Sequence, residues 1–156
     1  MQPYAVPIVL KPGEGETIDL GNFTMSLKVG GGDTGGAFSL LEAAEPPNFG
    51  PPMHIHHDCA EAFYVLEGEY RIFIEGTEHR CPAGSFVLIP SGVEHGFRVG
   101  DVPSRKLNLY APAEMIGYFD DLADAQAHGE ADPEKLEDIA RRHGMEVIGP
   151  VPEGYL

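Results

Sequence analysis

The chain reads as an all-β domain followed by a helical tail. Short apolar runs recur from Val6 to Tyr110, each closed by Gly, Pro, Asn, Asp or Ser. The 20 glycines and 14 prolines are spread between these runs, which is the punctuation of many short strands and not the clustering of a disordered segment. Beyond Pro112 the apolar residues change from a two-residue to a helical period. With 156 residues the chain is long enough for one domain with its own core, a barrel over about residues 1–111 carrying a helical segment over about 112–156.

In chain order, Val6-Pro7-Ile8-Val9-Leu10 is expected to form a first strand, closed by Lys11-Pro12-Gly13. Strands follow near Thr17 and from Phe23 to Val29. The Gly30–Gly36 stretch has the composition of a phosphate cradle but lacks the Lys-Ser/Thr and the following helix, so it is expected to be a flexible hairpin loop. Ala37 to Glu42 resumes a strand, and Glu45 to Pro52 forms a rigid connection. Tyr70, Ile72 and Ile74 alternate with Arg71, Phe73 and Glu75, and a turn at Glu75-Gly76 starts a hairpin to Cys81. Ser85–Ile89, Glu94–Val99 and Arg105–Tyr110 complete roughly ten strands, the density of a sandwich or barrel. In the tail, Met115, Tyr118, Phe119 and Leu122 mark one amphipathic helix. A second has Asp132 as N-cap, Pro133 at its first position and Gly144 at its end. These helices are expected to pack on the barrel, over the pocket or against a second subunit.

Charge and composition exclude several functions. A net charge of -15 and a pI near 4.6, with only ten Lys and Arg, disfavour nucleic acid and anionic membrane as partners. No apolar run reaches membrane-spanning length, and the start lacks the pattern of a signal peptide, so a cytoplasmic location is expected. Two cysteines, Cys59 and Cys81, are too few for a disulfide scaffold and are expected to be free thiols.

The chemistry concentrates between Pro52 and Gly68. His54 and His56 lie two apart, so in a strand both imidazoles point the same way. Glu61, five residues beyond His56, needs a turn to rejoin that face, and His57-Asp58-Cys59 has the polar, short character of one. His95 follows far down the chain. Three imidazoles and one carboxylate suit a divalent transition metal ion, Fe, Mn, Ni, Co, Cu or Zn, and leave positions open on a six-coordinate ion. His57 alternates away from the pair, and His79, His128 and His143 have no second ligand nearby. Cys59 is close enough to be a soft ligand or a redox-sensitive thiol, but reads rather as a small buried or turn residue. No nucleophile elbow accompanies either cysteine. Phe63 and Val65 share the face of Glu61, and Phe97 that of His95; they line either an apolar substrate pocket or the filled interior of a small barrel.

These residues resemble the cupin superfamily, whose first motif is G-x5-H-x-H-x3,4-E-x6-G. His54, His56, Glu61 and Gly68 fit it, with Asn48 where the first glycine is expected. The second motif, G-x5-P-x-G-x2-H-x3-N, is met by Gly84, Pro90, Gly92 and His95, with Val99 in place of the final Asn. The fifteen residues between Gly68 and Gly84 suit a compact single-domain member. The resemblance implies a small jelly-roll barrel (a double-stranded β-helix) that holds one metal ion on His54, His56, Glu61 and His95. The tail leading into Glu146-Val147-Ile148-Gly149-Pro150 is similar to that of bacterial quercetin 2,3-dioxygenase-like proteins. That likeness implies a dioxygenase acting on a flavonol-like, aromatic or enolic small molecule, with Glu61 also taking the substrate's hydroxyl proton. A non-redox isomerase or lyase, or a small-molecule-binding module, uses the same scaffold. A homodimer is expected, because pairing covers exposed barrel edges.

Overall fold

A computed structural model of the chain describes residues 6–152. It contains two antiparallel sheets. One runs in the order β1 (Glu16–Asp19), β2 (Thr24–Val29), β3 (Ser39–Glu45), β10 (Ser104–Ala111), β5 (Ala60–Glu67) and β8 (Phe86–Ile89). The other runs β11 (Met145–Gly149), β4 (Met53–His56), β9 (His95–Val99), β6 (Glu69–Ile74) and β7 (Thr77–Pro82). Strict alternation decides which side chains enter the space between them. On β10, Ser104, Lys106, Asn108 and Tyr110 are buried, and on β5 so are Glu61, Phe63 and Val65.

Side chains from both sheets meet in one apolar cluster of Phe63, Val65 and Ile89 with Tyr70, Ile72, Phe97 and Val99. A second cluster joins Ile18, Met25, Leu41, Cys59 and Tyr110 to the tail residues Met115, Phe119, Ala140 and Met145. The tail therefore packs on its own barrel. It begins with a 3-10 turn at Ala113–Met115 and continues as α2 (Ile116–Ala127) and α3 (Pro133–Arg142). Asp132 caps α3, its Oδ1 accepting from the Lys135 N–H at 2.9 Å, and Pro133 sits where the missing N–H costs nothing.

Three expectations are corrected. Val6 to Leu10 is not a strand: Val6 and Val9 are 75% and 84% exposed, and the segment has no ladder partner. Pro7 also removes one of the donors that a ladder would need. Residues 1–5 and 153–156 lie outside the described residues. The Gly30–Gly36 stretch is not an open loop but holds one helical turn, α1 (Gly31–Thr34), where the Asp33 carboxylate accepts from the Gly30 N–H at 2.9 Å. The tail is not purely helical either. After α3 the chain returns as β11, which pairs antiparallel with β4 and covers what is otherwise an edge strand.

The two motif departures have simple physical accounts. Asn48 has φ 65°, the left-handed conformation in which glycine is at home and asparagine is among the best tolerated substitutes. Val99 is fully buried in the inter-sheet cluster, where an apolar side chain fits. Gly68, by contrast, is required: its φ is 76°, and a Cβ there collides with the Ser104 side chain.

Candidate metal centre

Three strands deliver the four residues of the site. β4 carries His54 and His56 on its inward face, β9 places His95 directly across from His54, and β5 opens with Glu61 opposite Tyr110 of β10. Between His56 and Ala60 the chain turns, and Ser91 Oγ donates to the His57 carbonyl at 2.7 Å to hold that turn. All four residues are buried, at 7%, 3%, 3% and 1% exposure for His54, His56, Glu61 and His95. One ligand atom from each lies within 4.8 Å of the others.

The imidazoles are oriented from behind. His54 Nδ1 lies 2.7 Å from the Pro52 carbonyl and His95 Nδ1 lies 2.9 Å from the Val93 carbonyl. A carbonyl only accepts, so both Nδ1 atoms carry the hydrogen, leaving Nε2 for the interior. His95 Nε2 then sits 2.8 Å from Glu61 Oε1, two electron-rich atoms that need a cation or a proton between them. His56 Nε2 is 3.3 Å from the same oxygen but lacks the alignment of a hydrogen bond, and both of its ring nitrogens are buried without a hydrogen-bond partner among the described residues. Orphaned buried nitrogens are rare, and their convergence on a carboxylate is what a metal ion resolves.

The protonation states agree with that role. Burial, with the His95 and His56 rings adding to it, lowers the pKa of His54 from 6.5 to about 3, so its imidazole is neutral. For Glu61 burial opposes ionisation, but the facing His56 and His95 nitrogens outweigh it and hold the carboxyl well below the usual range. For His95 burial favours the neutral ring, yet the hydrogen bond to Glu61 and its charge outweigh burial and raise the pKa. Three imidazoles and an ionised carboxylate fit a divalent transition ion.

Asn108 and Tyr110 were not foreseen. Asn108 Nδ2 donates to Glu61 Oε2 at 2.8 Å and lies 3.1 Å from the Tyr110 hydroxyl, whose ring packs edge-on to His56 with centroids 5.7 Å apart. Burial, then Glu61, pushes the Tyr110 pKa well above 10, so the hydroxyl keeps its proton. Only the inward alternation of Lys106, Asn108 and Tyr110 in the strand Arg105–Tyr110 could have pointed to them.

The remaining candidates separate clearly. Phe63, Val65 and Phe97 lie in the inter-sheet cluster, with the Phe63 and Phe97 rings 6.1 Å apart. Lys106 Nζ sits 4.4 Å from the centre of the Phe97 ring and 3.0 Å from Glu45 Oε1, which also accepts from the Tyr70 hydroxyl at 2.8 Å. Cys59 and Cys81 are free and buried; burial followed by Glu61 pushes the Cys59 thiol up to about 12, far from a thiolate. His57 faces away and pairs with Glu146 at 2.9 Å, and His143 pairs with Asp121 at 2.6 Å. A surface groove of about 790 Å³ beside Leu10, Lys28 and Arg105 contains none of the four ligands.

A two-sheet jelly-roll barrel with a buried three-His, one-Glu cluster that could hold a metal ion defines the class of protein. Residues 42–110 match the family described as Cupin_2, cupin domain, which supports the resemblance to the cupin superfamily. It is 23% identical over 141 residues to a quercetin 2,3-dioxygenase of Bacillus subtilis (strain 168), covering 90% of this chain but 42% of that protein. Among solved structures it is similar to KdgF from Halomonas sp., with a TM-score of 0.61, 16% identity, and coverage of 69% and 94% of the two chains. An RmlC-like cupin from Shewanella frigidimarina gives 0.60 and 18%, covering 72% and 96%. Both structures share the fold. No helix among the described residues is long and apolar enough to cross a membrane.

Proposed function

We propose that the chain is a metal-dependent, dioxygenase-like enzyme acting on a small aromatic or enolic, flavonol-like compound. The observation that carries this is the buried His54, His56, Glu61 and His95 cluster, in which the protein leaves nitrogen and oxygen lone pairs facing one point. The similarity to a quercetin 2,3-dioxygenase over most of the chain supports the choice of chemistry. A bound divalent ion supplies a Lewis acid for an enolic oxygen and open positions for reaction with dioxygen.

The chain's own residues have distinct roles. His54 and His95 would hold the ion through Nε2, His56 through a ring nitrogen, and Glu61 would complete the set. Glu61 is also the ionised acceptor nearest the substrate's hydroxyl, so it takes that proton, while Asn108 keeps the carboxylate from swinging. Phe63, Val65 and Phe97 form the apolar wall against which a planar ring rests. The enzyme works in the cytoplasm as a homodimer, with neither nucleic acid nor membrane as partner.

The test is oxygen uptake. Protein loaded separately with Fe, Mn, Ni or Co is assayed with flavonols and other enolic compounds, and metal-dependent consumption of oxygen with at least one of them is expected. No uptake under any loading defeats the dioxygenase reading. Turnover that continues under argon replaces it with a non-redox isomerase or lyase.

A further inference from the structure

Asn108 is fixed more firmly than a metal ligand's neighbour needs to be. Its Nδ2 lies 2.8 Å from Glu61 Oε2 and 3.1 Å from the Tyr110 hydroxyl. An ionised carboxylate only accepts, so the nitrogen edge of the amide, and not the oxygen edge, faces Glu61. Both amide hydrogens are then committed, and Oδ1 is left on the opposite edge. That atom is buried and has no hydrogen-bond partner among the described residues, in a residue only 3% exposed. Asn108 shares the inward face of β10 with Lys106 and Tyr110, so Oδ1 belongs to the barrel interior beside the metal cluster. A buried acceptor without a donor is costly, and it calls for a donor from outside the chain.

We propose that Asn108 Oδ1 is a specificity-determining acceptor that reads a hydroxyl adjacent to the oxygen a ligand presents to the metal centre. The ligand class this selects is an enediol or catechol-like pair of hydroxyls on neighbouring sp2 carbons. One hydroxyl oxygen goes to the metal centre, and the other donates its hydrogen to Asn108. The assignment rests on the metal-centre reading above and narrows its substrate from any enolic compound to a vicinal one.

Catechol and 2-methoxyphenol present the same ring and the same two oxygens but differ by one donor. Their affinities for the cobalt-loaded protein are measured by visible absorption and calorimetry under argon, with metal content verified for every variant. Wild type is expected to favour catechol. In Asn108→Leu the ratio of the two affinities falls about tenfold, the worth of a hydrogen bond to a buried acceptor. Tyr110→Phe keeps the ratio, because Asn108 still donates to Glu61. A purely structural Asn108 weakens both phenols together and leaves the ratio unchanged. Asn108→Ala, which also removes Oδ1, gives the same readout if the leucine variant does not fold. Equal affinities in wild type, or a ratio that survives both Asn108 variants, overturns the proposal and leaves the metal centre standing; such a result means that Oδ1 holds only water. If neither phenol changes the cobalt spectrum or releases heat, the metal-centre reading fails and this proposal fails with it.

Discussion

Glu61 meets the site with its two oxygens in different directions, Oε1 toward His56 and His95 and Oε2 toward Asn108. Glu61→Gln keeps the shape but replaces one oxygen by a donor, which then faces either Asn108 Nδ2 or the imidazoles. Metal affinity is expected to fall by about 10- to 100-fold, and oxygen uptake to be lost even at saturating metal. Calorimetric metal titration beside an oxygen electrode separates the two effects: full activity at saturating metal refutes the base role. His54 makes a second prediction at this scale. Its folded pKa of about 3 lies below the ordinary 6.5, so between those values the unfolded chain binds a proton that the folded one refuses. Stability of the metal-free protein therefore falls as pH drops through that window, by about 1.4 kcal/mol per pH unit at most. Denaturant melts over that range are expected to show a shallower decline for His54→Gln. The convergence of His54, His56 and Glu61 was legible, because a two-residue spacing in a strand and a turn before Glu61 are local facts. Asn108 was not, because nothing in Arg105–Tyr110 says which polar residue will lie against a carboxylate from a strand forty-odd residues earlier.

At the scale of elements, the strands that matter are held by long-range pairings. β4 contributes two ligands and is braced on one side by β9 and on the other by β11, whose Met145 and Val147 pair with His56 and His54. That late strand escaped the sequence reading because Met-Glu-Val-Ile-Gly is short, follows a helix, and becomes a strand only when β4 offers an edge. The helices were legible because Asp132-Pro133 is a local start signal and their apolar period is strong. α3 packs on β11, with Ala140 and Met145 in one core cluster, and the neighbouring Ile139 is fully buried. Ile139→Ala is expected to cost about 2 to 5 kcal/mol and to weaken metal binding by loosening β4 through β11. Equilibrium unfolding together with hydrogen exchange at the β4 amides checks this; destabilisation with β4 protection unchanged uncouples the tail from the site. The Lys106–Glu45 pair lies deep in the barrel, and buried pairs suffer most when broken on one side. Lys106→Met alone is expected to lose about 3 to 5 kcal/mol, most of it recovered in the double variant with Glu45→Gln.

For the whole molecule, the barrel brings together ligands from β4, β5 and β9 whose sequence separation spans residues 54 to 95. Closure of the site and folding of the barrel are thus one event, and a bound ion stabilises the folded state in proportion to its affinity. The acidic surface, at a net charge of -15, adds a long-range attraction for divalent cations. The most direct measurement is metal content by plasma emission on protein purified without added metal, for wild type and for His95→Ala, each with its melting temperature before and after chelation. Wild type is expected to carry about one transition ion per chain, to lose it on chelation with a lower melting temperature, and to regain both on reloading. His95→Ala is expected to hold little metal and to melt at a temperature that chelation does not change. A wild-type chain that takes up no transition ion, or whose melting is indifferent to metal, contradicts the metal centre and the chemistry built on it.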